Sequence, residues 1–207
     1  MDLPAGPTLA VLLAAGAGKR FHGPIHKLRA MISTDDTSHP HTVAAASLRS
    51  MLASSIGDCA VITGAIDISD IVDEITASTG RDVTVVHNSG WSSGMRSSVL
   101  AAIALARERR CSQLVIGLAD QPFVPAEAWR LVADAPAPIA VATYDGRRGN
   151  PVKLADSVWI EFENTPGDPD AGARSLVETH LDHVAFVPCP GSDRDIDTQE
   201  DLRPWKH

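Results

Sequence analysis

Short apolar runs alternate along the chain with segments in which apolar residues recur at helical spacing. The first run, Leu9 to Ala15, is continuous and too short to span a membrane, which is typical of a strand buried on both faces of a parallel sheet. Further strands are predicted over 59–63, 83–87, 113–117, 139–144 and 184–188, and helices over 42–52, 68–77, 95–109, 126–134, 156–162 and 171–180. This alternation predicts βαβ units and a mainly parallel sheet, whose ligands bind beyond the carboxyl ends of the strands.

The whole chain has the size and composition of one globular domain, so we predict a single domain over residues 1–207. Its formal net charge of −8 argues against a surface for nucleic acid, and any anion site must be a local basic pocket. The three cysteines contain no Cys-x-x-Cys pair, which predicts neither a disulfide framework nor a zinc cluster. No basic leader precedes the first apolar run and no run reaches membrane-spanning length, so we expect a cytoplasmic protein without a membrane partner.

The loop after the first strand combines two glycines with three cations. Gly16 and Gly18 allow a sharp turn and a close approach of the backbone to a ligand, and Lys19, Arg20 and Lys27 follow them. The loop is not a P-loop, since no hydroxyl residue follows the first lysine, and it lacks the third small residue of the dinucleotide fingerprint. It is either an ordinary glycine-rich turn or an anion site, and polyphosphate is the anion that it favours.

Two later loops carry candidate binding groups directly after predicted strands. Asp120, in Leu-Ala-Asp-Gln-Pro, is either a ligand for Mg²⁺ or a turn-forming residue near a proline. The loop 88–99 contains Gly94, Ser97 and Ser98, and its backbone amides and hydroxyls suit a base edge or a phosphate. The alternative for this loop is a helix cap whose tryptophan packs in the core.

The remaining polar segments give weaker signals. Asp195 and Asp197 form a second acidic pair ahead of a cap-like pattern at the start of the tail 198–205. Both aspartates fit a helix-capping turn, and Asp197 in particular needs no other role. The stretch 31–41 is polar and predicts an exposed loop, and residues 145–150 predict a turn before the next strand.

Taken together and in this order, the motifs resemble those of the MobA-like nucleotidyltransferases, especially the molybdenum cofactor cytidylyltransferase (MocA-like) branch. The resemblance covers nearly the whole chain. Its first and last motifs are shared by many nucleotidyltransferases, whereas the combination is more specific. The matching motifs are Leu-Ala-Ala-Gly-Ala-Gly-Lys-Arg-Phe from Leu13 with Lys27, Gly-Met-x-Ser-Ser-Val from Gly94, Leu-Ala-Asp-Gln-Pro from Leu118, Gly-Asn-Pro-Val from Gly149, Gly-Asp-x-x-Ala-Gly-Ala-Arg from Gly167 and Asp-Ile-Asp-Thr-x-Glu-Asp-Leu from Asp195. The chain departs from the family pattern in the wider spacing before Lys27 and in lacking the Gly-(Arg/Lys)-Pro-Leu segment after it.

The resemblance implies a Rossmann-like three-layer α/β sandwich, similar to nucleotide-diphospho-sugar transferases, with a mainly parallel mixed sheet of about seven strands. It implies a nucleoside triphosphate and molybdenum cofactor as substrates, a recipient molybdoenzyme as a further partner, and Mg²⁺ as the metal, with Mn²⁺ as its substitute. Arg20, Lys27 and Asp120 are then catalytic, and Asp120 and Asp195 are the metal ligands. The nucleotide is expected at Leu13, Ala14, Ala15, Gly16, Gly18, Lys19, Arg20, Lys27, Gly94, Ser97 and Ser98. The acceptor is expected at Asn150, Gly172, Ala173 and Arg174.

The implied reaction is attack of the cofactor's phosphate oxygen on the α-phosphorus of the triphosphate, with release of pyrophosphate. The Leu-Ala-Ala-Gly opening favours CTP over GTP, for which the resemblance predicts Gly-Gly. Three alternatives stay open: an enzyme that uses GTP, a transferase for a sugar or polyol phosphate, and a non-catalytic chaperone that hands the cofactor to an apoenzyme. The set of carboxylates and cations counts against the chaperone, since a pure binder has no use for a metal pair.

Overall fold

A computed structural model of the chain describes residues 6–33 and 40–203. Within this part, its strands are β1 (Thr8–Ala14), β2 (Met31–Ile32), β3 (His41–Thr42), β4 (Asp58–Thr63), β5 (Thr84–His87), β6 (Gln113–Leu118), β7 (Ile139–Tyr144), β8 (Arg147–Ala155) and β9 (Val184–Pro188). Its α-helices are α1 (Val43–Ser54), α2 (Ser69–Thr79), α3 (Met95–Glu108), α4 (Ala126–Asp134), α5 (Trp159–Asn164) and α6 (Arg174–Thr179). No helix of the described part is long and apolar enough to cross a lipid bilayer.

Seven of these strands form one mixed sheet in the order β5-β4-β1-β6-β8-β7-β9. The pairs β1–β4, β1–β6, β4–β5 and β7–β9 are parallel, whereas β8 is antiparallel to both of its neighbours. Every residue of β1 is buried, because helices cover both faces of the sheet, and this accounts for its uninterrupted apolar sequence. The predicted fold class, a mainly parallel α/β sandwich, is confirmed.

The two layers of helices bury alternate residues of the central strand. Leu12 belongs to the apolar cluster formed with α1, α2 and α4, and Val11 belongs to the cluster formed with α3, α5 and α6. The large side chain of Trp129 in α4 is almost fully buried and packs directly on β6. A Cβ atom built on Gly117 would lie 2.5 Å from the Trp129 ring, so this position of the strand requires glycine.

The structure corrects two of the loop predictions. The stretch 31–41 is not simply an exposed loop, because β2 and β3 pair in an antiparallel two-stranded ladder at its ends, while 34–39 lie outside the described residues. The turn predicted over 145–150 is limited to Asp145 and Gly146, which both have positive φ and join β7 to β8 as a tight hairpin.

The antiparallel direction of β8 has a consequence for the site. Since β8 runs against β6, its first residues lie at the same edge of the sheet as the carboxyl end of β6. The segment Arg147 to Asn150 is therefore strand, not turn, and it faces the loops on which the sequence analysis placed the candidate chemistry.

Candidate functional site

The glycine loop after β1 is fixed by a histidine that follows it. Gly18 has a φ of 60°, and a Cβ atom there would lie 2.8 Å from His26 Nε2. The Nε2 atom lies 3.2 Å from the Gly16 carbonyl oxygen, and Nδ1 accepts a hydrogen bond from the backbone N–H of Leu28. These two partners require a neutral ring with its proton on Nε2. Burial lowers the pKa of His26, which favours this neutral form.

The loop forms one wall of a cavity of about 400 Å³ at the carboxyl edge of the sheet. Ser97 does not line this cavity: its hydroxyl donates to the Gly94 carbonyl and accepts from the side-chain amide of Asn88. Of the residues predicted for nucleotide and metal binding, the cavity is lined by Leu13, Ala14, Ala15, Gly16, Gly18, Lys19, Arg20, Lys27, Gly94, Ser98 and Asp120. The structure thus brings together the β1 loop, the start of α3 and the loop after β6.

Four charged side chains are linked in a chain beside this cavity. The ammonium Nζ of Lys27 lies 2.5 Å from Asp120 Oδ2 and 2.8 Å from Asp197 Oδ1, and the guanidinium of Arg20 lies 2.8 Å from Asp197 Oδ2. Lys27 is only 11% exposed, whereas Arg20 is 76% exposed. Burial acts to lower the pKa of Lys27, but the charges and hydrogen bonds of the two aspartates outweigh it and raise that pKa, so the ammonium stays charged.

Asp197 has a larger role in this cluster than its sequence context predicts. It was expected to act only as a helix cap, but the capping bonds here belong to other side chains: Asp201 accepts from the backbone N–H groups of Asp197 and Thr198, and Thr198 Oγ1 accepts from the N–H of Asp201. The intervening Ile196 is fully buried and its N–H donates to the Asp120 carbonyl. The Asp-Ile-Asp alternation was therefore the available signal for two aspartates that face away from the core.

Asp195, two residues before Asp197 in the same segment, is held by Gln121. The amide Nε2 of Gln121 donates to Asp195 Oδ1 at 2.7 Å and to the Asp193 carbonyl at 2.9 Å. Burial, together with the nearby negative charge of Asp120, raises the pKa of Asp195 to about 6. In the sequence Gln121 is only one residue of the Leu-Ala-Asp-Gln-Pro motif, and its position as the partner of Asp195 is visible only in three dimensions.

A second cavity, of about 700 Å³, adjoins the first, and both are lined by Leu13, Met95, Leu118 and Asp170. Its walls include the apolar side chains of Val99, Ile116, Val141, Val152 and Val177, the acidic residues Glu178, Asp193 and Asp195, and the cations Arg147, Arg148 and Arg174. Of the residues predicted for the acceptor, Asn150, Ala173 and Arg174 line it, while Gly172 packs against Met95 instead.

Sequence comparison identifies the domain that carries these two cavities. The sequence profile of the MobA-like NTP transferase domain matches residues 10–184, which include every residue that lines the two cavities except Asp193 and Asp195. The chain belongs to this family. The predicted membership is confirmed, and the protein is a nucleotidyltransferase of the MobA-like class.

Individual relatives of this MobA-like domain carry different names. Nicotine blue oxidoreductase of Paenarthrobacter nicotinovorans is 29% identical over 97% of this chain and 96% of its own length. The crystal structure of Rv0371c from Mycobacterium tuberculosis is 27% identical, covers 98% of both chains and superposes with a TM-score of 0.71. A 4-diphosphocytidyl-2C-methyl-D-erythritol synthase from Anaerococcus prevotii, at 14% identity, covers 96% of this chain and 93% of its own and shares the fold with a TM-score of 0.69.

A divalent metal ion fits the donor set of this MobA-like site. Rv0371c has also been crystallised in complex with manganese, in a structure 25% identical to this chain with a TM-score of 0.67 that covers 97% of both chains. In the present chain the buried Oδ1 atom of Asp120 has no hydrogen-bond partner in the described part, as expected for an oxygen reserved for a cation. No group of three or more His, Cys, Asp or Glu residues is arranged to hold a metal within residues 6–33 and 40–203, so substrate oxygens and water must complete the coordination.

Proposed function

We propose that the protein transfers CMP from CTP to the phosphate of molybdenum cofactor and releases pyrophosphate. The observation that carries the proposal is the pair of adjoining cavities, one bounded by the glycine loop and its cations and the other by apolar walls and arginines. Asp120 lines the first cavity and Asp195 the second, so the boundary between them suits the transfer step. We place this reaction in the cytoplasm, with a molybdoenzyme as the recipient of the product.

The triphosphate is assigned to the smaller cavity. The loop 13–20 offers backbone groups to the phosphates, and Lys19, Arg20 and Lys27 supply positive charge. Gly94 and Ser98, at the start of α3, are assigned to the base. Ser97 supports them indirectly, because Asn88 donates one hydrogen bond to each serine hydroxyl, at 2.8 Å to Ser97 and 3.1 Å to Ser98.

The acceptor is assigned to the larger cavity, whose apolar walls suit a ring system and whose arginines suit its phosphate. None of Arg147, Arg148 and Arg174 forms an ion pair with another side chain of the described part, and Arg148 stacks on the ring of Phe186 with its guanidinium carbon 4.7 Å from the ring centre. Asn150 is held by its own carbonyl, which accepts a hydrogen bond from the Tyr144 hydroxyl at 2.7 Å. Ala173 completes the acceptor side, and Gly172 supports it only indirectly, by packing against Met95, which lines the cavity.

The reaction joins two anions, so charge neutralisation and alignment are what this chain must supply. Asp120 and Asp195 would hold Mg²⁺, or Mn²⁺ in its place, which when bound polarises the phosphoryl oxygens. Lys27 and Arg20 would bind the phosphates that leave as pyrophosphate. Gln121 keeps the Asp195 carboxylate oriented through its 2.7 Å hydrogen bond.

The experiment that tests the proposal is a thermal-shift panel of CTP, GTP, ATP and UTP with and without Mg²⁺, on the wild type and Asp120→Ala, followed by pyrophosphate release with molybdenum cofactor. A ligand that binds only the folded state raises the unfolding temperature. We expect a Mg²⁺-dependent shift with CTP that the variant loses. A thermal shift with GTP alone would assign the guanylyl reaction instead. Pyrophosphate release only with a sugar or polyol phosphate would assign a different acceptor. Nucleotide binding without any pyrophosphate release would favour the chaperone.

A second candidate function is oxidation–reduction, favoured by the full-length similarity to nicotine blue oxidoreductase and by the apolar walls of the larger cavity. It assigns no role to the cluster of Lys27, Asp120 and Asp197. NADH and NADPH belong in the same thermal-shift panel. A shift with either of them, and none with a nucleoside triphosphate, would replace the transferase proposal by this one.

A further inference from the structure

Lys27 already neutralises the Asp120 carboxylate on which a metal ion would depend. Its ammonium contacts one carboxylate oxygen at 2.5 Å, while the other oxygen is buried without a partner in the described part. Mg²⁺ binds carboxylate oxygens at about 2.0–2.1 Å, so a divalent ion on Asp120 would stand next to this ammonium. Two cations at such a distance repel strongly where burial limits screening by water.

Asp197 is a second ion-pair partner for the Lys27 ammonium. It contacts Lys27 through one carboxylate oxygen and Arg20 through the other, so both cations remain anchored when Asp120 is given up. The lysine side chain is a flexible four-carbon stem that can turn while one of its three N–H donors keeps its partner. The phosphates of a nucleotide in the adjoining cavity are the anions toward which it can turn.

We infer that Lys27 and the divalent metal compete for Asp120, and that Asp197 is the positioning residue which retains Lys27 and Arg20 during the exchange. The inference rests on the proposed function, because it needs a nucleotide to draw the ammonium away. It makes metal and nucleotide binding cooperative: the metal alone binds weakly, and each ligand strengthens the other by the same factor.

The test is a titration of the intact protein with Mn²⁺ in the absence of nucleotide, in which electron paramagnetic resonance measures the bound metal. Lys27→Met removes the competing ammonium, and we expect its affinity for Mn²⁺ to exceed that of the wild type about 10-fold, the effect of roughly 1.4 kcal/mol. Lys27→Arg keeps the charge and both aspartate partners within reach and should bind as weakly as the wild type. Lys27→Gln is the substitute if the methionine variant does not fold.

Lys19→Met is the matched control for overall electrostatics. Lys19 belongs to the same loop and lines the same cavity, but it forms no ion pair in the described part of the chain. We expect its loss to change the affinity for Mn²⁺ less than about 2-fold, since an exposed charge is screened by solvent. An affinity of Lys27→Met no higher than that of Lys19→Met, or a Lys27→Arg variant as tight as Lys27→Met, would overturn the inference.

A second arm separates this inference from the proposed function. A non-hydrolysable CTP analogue is added to the wild type, and the affinity for Mn²⁺ should rise as the ammonium leaves Asp120. Failure of every nucleoside triphosphate to bind would refute the proposed function, whereas the comparison of Lys27→Met with Lys19→Met in the absence of nucleotide still decides the competition.

Discussion

The ammonium of Lys27 lies 2.8 Å from the carboxylate of Asp197, although 170 positions separate the two residues. The contact joins the loop after the first strand to the segment after the last one, and Asp120 from the middle of the chain completes it. Three loops that follow different strands are thereby fixed to one another by charge. The predictions below test what each part of this arrangement contributes.

Loss of the Asp197 carboxylate should weaken nucleotide binding more than it weakens the fold. In Asp197→Asn the anchor of Lys27 and Arg20 loses its charge, and we expect the affinity for Mg²⁺–CTP to fall about 10-fold. The measurement is isothermal titration calorimetry. Asp201→Ala is the control, because it removes the capping bonds of the same segment without touching either cation. Equal affinity losses in the two variants would reduce Asp197 to a structural role.

Loss of the Gln121 side chain should slow turnover with the acceptor without changing the affinity for the nucleotide. In Gln121→Leu the bonds to Asp195 and to the Asp193 carbonyl are lost, so the Asp195 carboxylate loses the donor that orients it. We expect a lower kcat, with molybdenum cofactor as the acceptor, at an unchanged affinity for CTP. A variant with normal kcat would show that this orientation of Asp195 is not needed for turnover.

His26 should make the fold sensitive to acid. Its pKa lies below the 6.5 of an unfolded chain, so the unfolded state binds more protons in the interval between the two values. The stabilisation is fully present above about pH 6.5 and is lost as the pH falls toward the folded-state pKa. Urea unfolding from pH 7 to pH 5 should therefore show a smaller loss of stability in His26→Gln than in the wild type, with His22→Gln as the exposed control. Parallel curves for all three proteins would contradict the assignment.

Gly117→Ala should destabilise the sheet without altering any residue of the site. The added methyl group meets the ring of buried Trp129, and overpacking of this kind costs about 1–3 kcal/mol. Gly80→Ala is a useful comparison, because its Cβ meets nothing within 4 Å and only its φ of 65° is unfavourable, a cost of about 1 kcal/mol. Denaturant midpoints measure both. A Gly117→Ala protein as stable as Gly80→Ala would mean that Trp129 repacks freely.

Much of the fold could be predicted because its signals are local. The apolar run of β1 and the helical spacing in α2 are readable within a few residues, and six of the seven strands of the main sheet were placed to within two residues. The eighth strand along the chain, β8, was only partly predicted, since the polar start Arg147 to Asn150 has the composition of a turn. Its pairing depends on β6 and β7, which no local window contains.

The site was predictable as a set of loops but not as a set of contacts. The glycine loop and Asp120 can be recognised in the sequence by their residue types and by their position after predicted strands. Asp197 was read as a cap because Asp-Thr-x-x-Asp does form one, and nothing near it in sequence reveals Lys27 or Arg20. Gln121 was missed for the same reason: an amide gives no signal until its partner is known.

Because β8 runs antiparallel to its neighbours, the acceptor cavity can change in sequence without changes in the nucleotide loop. Apart from Asp170, the residues that line the nucleotide side lie between Leu13 and Asp120, whereas Arg147 to Asn150 enter the acceptor side from a hairpin that begins at Asp145. Mutation or insertion at this tight hairpin can reshape the larger cavity while the glycine loop, Lys27 and Asp120 stay in place. Such an architecture allows the acceptor specificity to change during evolution through substitutions in one hairpin, while nucleotide binding is retained.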